Sequence, residues 1–394
     1  MLMTWKNVNP MEQRILFIAD YLKHNYSDFS ALCLRYEISR KSGYKWVERY
    51  QESGEEGLHE QSRKPKHHPF ATPYFMRKAV IELRQHSRIK FGPKKIQAKL
   101  KIQFSNQPPP SITTIYNILK KEGLIEPRKR SRKFSLYKTP FKTVKAANDL
   151  WSVDFKGQFL LKNGTWCYPL TIMDHYSRYL LACKGLNTTN TASSKQVFER
   201  LFKEYGLPLR IRSDNGVPFS SQAPGGLSTL SIWWIRLGIH PERIKPGKPQ
   251  QNGQHERMHL TLKNSISHDI MPSFEEQQVV LDDFVKVYNT ERPHESLEQT
   301  FPKDWYLPSE REYPKQLPEI TYPDYFIKRK VSFSGTIYWG NGQIYISNTL
   351  KGEIVGMQEV DNGIWDLYFG PIRLGSVDKN CVKGKNSAYW TLKV

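Results

Sequence analysis

Apolar positions in the first 125 residues recur at helical spacing. Ile15, Leu16, Ala19 and Leu22 predict one helix, and Phe29, Leu32, Leu34 and Tyr36 a second. Ser39 stands where an N-cap would open a third helix, with Trp46 and Val47 inside and Arg40, Lys41, Tyr44, Lys45 and Arg49 outside. A short turn between two helices, the second rich in basic and hydrogen-bonding side chains, fits a helix-turn-helix; a small bundle with a solvated basic face fits as well. Met76, Ala79, Val80 and Leu83 begin a second helical unit, followed from Pro93 by Lys94, Lys95, Ile96 and Leu100. Pro108 to Pro110 break the chain. Ser111 then caps a helix with Ile112, Ile115 and Leu119 inside, Thr113, Thr114, Asn117, Lys120 and Lys121 outside, and Gly123 at its end. Two such units in tandem favour a DNA-binding reading over two unrelated bundles.

From residue 150 the pattern becomes α/β. Trp151, Val153 and Phe155 alternate with Ser152, Asp154 and Lys156, as in a strand with one polar face. Asn163-Gly164 predicts a hairpin turn, with strands beyond it over Cys167 to Met173 and Tyr179 to Cys183. A helix with Val197, Phe198, Leu201, Phe202 and Tyr205 on one face follows, then a strand ending at Asp214. Residues 301–323 hold five prolines and read as a linker. After them, short runs rich in aromatic and β-branched residues alternate with Asn341-Gly342 and Asn362-Gly363 turns, which predicts a small β-barrel.

Charge sharpens this picture. The 394 residues carry 59 Lys/Arg and 38 Asp/Glu, a net +21, more than solubility needs, which points to a polyanionic partner. Residues 1–150 hold 30 Lys/Arg against 13 Asp/Glu and the rest 29 against 25, so that partner belongs mainly to the first part of the chain. Residues 128–145 contain eight Lys/Arg and no Asp/Glu, a solvated linker that could also follow phosphates. No apolar run approaches the ~20 residues of a membrane span, and Met1 to Pro10 do not resemble a signal peptide. Cys33, Cys167, Cys183 and Cys381 are too scattered for a disulfide scaffold or a zinc site and read as free thiols in a reducing cytoplasm.

Three carboxylates stand out by context: Asp154 in LWSVDFKG, Asp214 in RIRSDNGVPF and Glu256 in PGKPQQNGQHERMHLTLK, 60 and 42 residues apart. On a helix Asn252, Glu256, His259 and Lys263 share one face and Met258, Leu262 and Ile266 another, which can pack on a sheet. Two carboxylates about 4 Å apart repel by roughly 4 kcal/mol at an effective dielectric of 20, so such a cluster stays ionised only around cations. Mg²⁺ or Mn²⁺ suits oxygen ligands, and two such ions can clamp an in-line displacement at a phosphodiester. Asp174 fits a capping or turn role better than this cluster. His255, next to Glu256 but about 100° round the helix, is not expected to be a ligand. Arg292, Pro293 and His294 are read as structural support.

These motifs, with TIMDHYSRYLL and YNTERPHESLEQTFP, resemble the catalytic core of the retroviral integrase superfamily, and more closely bacterial insertion-sequence transposases of the IS481 and IS3 type. The stretch GGLSTLSIWWIRLGIHPERIKPGKPQQNGQHERMH carries the likeness to the IS481 branch. The resemblance implies a ribonuclease-H-like core with a catalytic, metal-binding triad of Asp154, Asp214 and Glu256, and Lys263 near DNA. The 42-residue step from Asp214 exceeds that of retroviral integrases, the extra residues falling in Ser220 to Ser228, and tandem helix-turn-helix units replace their N-terminal zinc module.

The expected organisation is a multidomain chain: a helix-turn-helix domain (1–56), a linker (57–72), a second helix-turn-helix domain (73–127), a basic linker (128–145), the α/β ribonuclease-H-like core (146–300), a Pro-rich linker (301–323) and a small β-barrel (324–394). The expected function is that of a cytoplasmic DDE transposase that binds the terminal inverted repeats of its element and, as a dimer or higher assembly, cuts the ends and joins them to target DNA. Arg40, Lys41, Tyr44, Lys45, Thr113, Thr114, Asn117, Lys120 and Lys263 are the expected contacts with double-stranded DNA. An inactive relative acting as a sequence-specific regulator is the alternative.

Overall fold

Asn9, Asp28 and Ser39 each cap a helix by accepting a backbone N–H, and so divide the first part of the chain into α1 (Pro10–Leu22), α2 (Phe29–Arg35) and α3 (Arg40–Ser53). The computed structural model describes residues 9–60, 71–125, 143–245, 249–267, 269–340, 342–379 and 388–394. Most of the basic run 128–145, Asn341 and Cys381 lie outside the described residues; Cys33, Cys167 and Cys183 are buried and free. The chain folds as two compact units that part between Ala71 and Thr72.

In the first unit Phe17, Ile18, Leu32, Cys33, Trp46, Val47 and Leu58 form the core. The expected face of α1 is wrong: Ile15, Leu16 and Leu22 are exposed, as is Leu34 of α2. Aromatic packing decides this, because Phe17 meets Phe29 and Tyr36 edge-on, which rotates α1 away from the aliphatic stripe. Gly43 gives α3 its close approach: a Cβ there would lie 2.6 Å from Cys33 Sγ.

The second unit opens with α4 (Tyr74–Gln85), α5 (Pro93–Gln103) and α6 (Ile112–Lys121). Ser111 caps α6 through Thr114 N at 3.1 Å, and Gly123 ends it at φ +69°. Ile112, expected inside, is exposed; Ile115 and Leu119 are buried. These helices share one apolar core with residues of the following α/β part, including Met258, Leu262, Val280 and Phe284.

That part is a mixed sheet. The strands are β1 (Trp151–Phe155), β2 (Phe159–Leu160), β3 (Trp166–Asp174), β4 (Leu180–Leu186), β5 (Arg210–Ser213) and β6 (His240–Arg243), with α7 (Thr191–Tyr205) between β4 and β5 and α8 (Thr229–Arg236) between β5 and β6. The order is β2-β3-β1-β5-β6 with β4 on the outer side of β3. β1, β3 and β4 are antiparallel neighbours; β5 and β6 run parallel to β1. α9 (Gly253–Ile266) and α10 (Phe274–Thr290) follow. Trp151, Ser152 and Val153 are all buried, so β1 is central and covered on both faces rather than polar on one.

The Pro-rich segment 301–323 is no free tether. Ser309 N donates to Tyr205 O and Leu207 N to Arg311 O, while Arg311 binds the carbonyls of Pro208, Leu237 and Gly238. Beyond it come β7 (Ile327–Lys330), β8 (Thr336–Trp339), β9 (Gly342–Tyr345), β10 (Ile354–Asp361), β11 (Ile364–Phe369), β12 (Ile372–Asp378) and β13 (Ala388–Trp390). The β10–β11 hairpin turns at Asn362-Gly363, with Gly363 at φ +75°. Instead of the expected barrel, the strands form a four-stranded antiparallel sheet, β12-β11-β10-β7, and a three-stranded one, β13-β9-β8; among the described residues no ring of strand pairing closes. Both sheets pack into one core with Ile232 and Ile235 of α8.

Candidate active site

Strand register brings the first two carboxylates together. Trp151 pairs with Ile211 and Ser152 with Arg212 across the parallel β1–β5 ladder. The same offset carries Asp154 onto Asp214, the residue after β5, and neighbouring strands lie about 4.8 Å apart. Asp214 Oδ1 accepts the N–H of Gly216 at 3.1 Å, where any Cβ would stand 3.0 Å from Asp214 Oδ2. Glu256 occupies the exposed side of the first turn of α9.

The electrostatics join all three. Burial pushes the Asp154 carboxyl up to about 7, and the negative charges of Asp214 and, more weakly, Glu256 add to it. All three groups are oxygen donors, the kind that hard divalent ions require. Among the described residues no three His, Cys, Asp or Glu side chains already stand as a cluster able to hold a metal ion. Of the two neighbouring charges, that of Asp214 bears on Asp154 more strongly than that of Glu256.

Lys263 is exposed two turns after Glu256 and repels Lys156, whose ammonium is pushed down by burial first and then by Lys263. Lys156 therefore stands beside Asp154, and Lys263 beside Lys156. The helix face expected to hold Asn252, Glu256, His259 and Lys263 together is divided: Asn252 and His259 are buried, Glu256 and Lys263 exposed. Met258, Leu262 and Ile266 form the apolar face as expected, packed with α10 and the α4–α6 helices.

A polar seam that the sequence reading missed accounts for the division. Thr171 Oγ1 donates to the Asp154 carbonyl at 2.9 Å and lies 2.7 Å from His255 Nε2 and 2.6 Å from His259 Nε2. A hydroxyl has one proton and two lone pairs, so both histidines must donate through Nε2. His255 Nδ1, 2.8 Å from Ser152 Oγ, then accepts, and His259 Nδ1 faces Asp154 Oδ2 at 3.9 Å. Burial holds both imidazoles neutral, that of His259 down to about 3. The seam fastens α9, and with it Glu256, to the two strands beneath Asp154. The i, i+4 spacing of His255 and His259 was the available signal, but without register nothing linked it to Thr171.

Asp174 has the expected turn role. It is buried at the opposite end of β1 from Asp154 and accepts from Asn148 N, Ser177 N and Ser177 Oγ. Arg212 and Arg210 share Glu242 at 2.5 and 2.8 Å, and Arg212 Nη1 reaches the Gln251 carbonyl at 3.2 Å, steadying the approach to α9. Arg40, Lys41 and Lys45 are exposed on α3; Tyr44 is exposed too, yet stacked on Phe29 at 4.2 Å. Thr113, Asn117 and Lys120 are exposed on α6, whereas Thr114 is half-buried and engaged by the Ser111 cap. No helix among the described residues is long and apolar enough to cross a membrane.

Comparison with known proteins finds matches along both parts of the chain. Residues 144–249 and 237–302 each match the integrase core domain family, residues 42–119 a homeodomain-like domain and residues 13–66 a helix-turn-helix domain. The Gag-Pol polyprotein of Feline leukemia virus is 31% identical over 148 residues, 36% of this chain and 8% of the polyprotein. An uncharacterized 39.2 kDa protein of insertion element IS476 from Xanthomonas euvesicatoria is 25% identical over 59% of this chain and 65% of its own length. The chain thus spans less than a tenth of that viral polyprotein and just under two thirds of the insertion-element protein. Among solved structures, the HTLV-2 integrase catalytic core domain in complex with magnesium aligns with 41% of this chain and 98% of its own, at 14% identity and a TM-score of 0.33. Residues 144–302 of this chain are an integrase core domain, and helix-turn-helix domains precede it.

Proposed function

We propose that the protein is a metal-dependent DNA transposase, with Asp154, Asp214 and Glu256 as its catalytic carboxylates. The observation that carries this reading is the field at Asp154: a half-buried carboxyl pushed up to about 7 with Asp214 and Glu256 bearing on it from two other elements. The sheet order, with three antiparallel strands and then two parallel to the first, supports a ribonuclease-H-like core. Asp154 and Asp214 would hold Mg²⁺ or Mn²⁺ as the inner pair and Glu256 would complete the set for two ions. Such ions, when bound, activate the attacking oxygen and stabilise the leaving one.

The chain's own residues would do the rest. Strands β1 and β5 fix the inner pair, and the Thr171 seam orients α9 so that Glu256 faces the same space. Lys156 and Lys263 suit the phosphates on either side of the reacting bond. Water attacks the phosphorus at an element end, the P–O3′ bond breaks and a 3′-hydroxyl is left. That hydroxyl then attacks a phosphorus of target DNA and displaces its 3′ oxygen. The exposed basic faces of α3 and α6 would read the terminal inverted repeats, and two ends held together imply a dimer or higher assembly on DNA.

The test is cleavage of a labelled element end by the full chain with Mg²⁺ or Mn²⁺, beside a gel-shift on the same duplex. Asp154→Asn, Asp214→Asn and Glu256→Gln should each lose cleavage and keep binding, and double changes should add little. Wild-type cleavage by Glu256→Gln would overturn the assignment. Binding without any cleavage by the wild type would favour a DNA-binding regulator.

A further inference from the structure

Three cations meet beside α9 from separate stretches of chain. Lys95 comes from α5, Arg257 from α9, one residue past Glu256, and Arg292 from the turn after α10. Lys95 Nζ donates to the Pro293 carbonyl. Arg292 lies 5.1 Å from the Tyr288 ring centre, with Nη1 2.8 Å from His294 Nε2. Burial pushes the Lys95 ammonium down to about 7, and the charges of Arg292 and Arg257 bear on it further. Glu295, the carboxylate facing Lys95, is itself held by Lys94 at 2.6 Å. Arg292 Nε is buried and has no hydrogen-bond partner among the described residues.

Like charges drawn together with a donor left over are the makings of an anion site. Guanidinium forks with an adjacent ammonium match phosphate oxygens better than any single basic side chain would. We propose that Lys95, Arg257 and Arg292 form a phosphodiester-binding site for the DNA backbone, about 100° round α9 from the side that carries Glu256. This rests on the DNA-processing reading above and adds to it a grip on a phosphate other than the one being cut. Lys95 belongs to the helical part α4–α6, so that part would help align DNA on the core as well as read it.

The test is the salt dependence of duplex binding by the full chain. Phosphate contacts carry no sequence information, so any duplex serves as probe. Arg257→Gln, at an exposed position, and Lys95→Gln, which can still donate to Pro293, should each lower the log–log salt slope by about 1, equally on every sequence. Arg257→Lys should restore the slope. An unchanged slope in both Gln variants, with the wild type still binding DNA steeply, would overturn the site without touching the carboxylate assignment, which is read separately by cleavage. Inorganic phosphate should raise the melting temperature of the wild type and less that of Arg257→Gln. Stabilisation by phosphate with an unaltered DNA slope would show a site for small anions and would also overturn the proposal.

Discussion

Thr171 and Asp154 are joined twice: they are register partners across β1 and β3, and Thr171 Oγ1 donates to the Asp154 carbonyl at 2.9 Å. The same hydroxyl accepts from His255 and His259, so its hydrogen-bonding capacity is full. One atom thereby ties β1, β3 and α9 together directly beneath the carboxylates.

Thr171→Val keeps the shape of the side chain and removes all three bonds. Two buried imidazole N–H groups lose their acceptor, at a cost of about 1–3 kcal/mol each when nothing replaces it. Chemical unfolding should show a loss of about 2–6 kcal/mol. On the function proposed above, cleavage should fall further than stability alone explains, because α9, which carries Glu256, is no longer fastened to the strand of Asp154. Thr171→Ser, which retains the hydroxyl, should recover most of both.

The raised Asp154 carboxyl fixes a pH dependence for the metal-free protein. Its pKa is 3.8 ordinarily and about 7 here, so between these values the folded chain holds a proton that the unfolded chain releases. Stability from this group therefore falls as pH rises from about 4 to 7, by about 1.4 kcal/mol per pH unit, and stays low above 7. With chelator present, Asp154→Asn should melt higher than wild type at pH 8 and equal to it at pH 4. Mg²⁺ should raise the melting temperature of the wild type at pH 8 and leave Asp154→Asn unmoved. A wild type indifferent to both pH and Mg²⁺ in that range would remove the like-charge cluster.

What was legible in the sequence follows from range. Helix caps at Ser39 and Ser111, the Asn362-Gly363 turn and the apolar face Met258, Leu262 and Ile266 are written in short stretches of chain, and the structure has them. The spacing of Asp154 and Asp214 equals the β1–β5 register offset, but only the sheet reveals why. The exposed side of α1 was misread because aromatic partners from elsewhere in the chain, Phe29 and Tyr36, rather than aliphatic spacing, set its rotation. The Thr171 seam joins Thr171 to histidines 84 and 88 positions away, and the cation cluster joins Lys95 to arginines 162 and 197 positions away, beyond the reach of any local periodicity.

His294 predicts the opposite slope on the acid side. Burial, then the charges of Arg292, Lys95 and Arg178, push its imidazole down to about 2. It is neutral in the fold and within hydrogen-bond reach of Arg292 Nη1 at 2.8 Å. The unfolded chain takes up a proton below about 6.5 and the folded one does not, so the stability from this group is present above that pH and lost as pH falls. His294→Gln can still accept from Arg292 but does not titrate. Between pH 6 and pH 4 its stability should fall less steeply than that of the wild type, by about 1.4 kcal/mol per pH unit. Parallel slopes for the two proteins would show that His294 is solvated.

Gly43 tests the first helical unit. A Cβ at this position would lie 2.6 Å from Cys33 Sγ and 3.0 Å from Phe29, so Gly43→Ala must push α3 off α2 or displace the thiol. Overpacking of this kind costs about 1–3 kcal/mol, against a gain of about 1 kcal/mol from better helix propensity. Cys33→Ala removes the obstructing sulfur and leaves a small void of its own. The two changes should therefore be non-additive: Cys33→Ala destabilises the wild-type background and restores stability in the Gly43→Ala background, with a coupling of about 1 kcal/mol or more. Because α3 carries Arg40, Lys41 and Lys45, binding to terminal-repeat DNA should weaken in Gly43→Ala and return in the double variant. Strictly additive effects on stability would mean that α2 and α3 do not meet at Gly43, and with that contact gone the placement of the basic face of α3 would fall too.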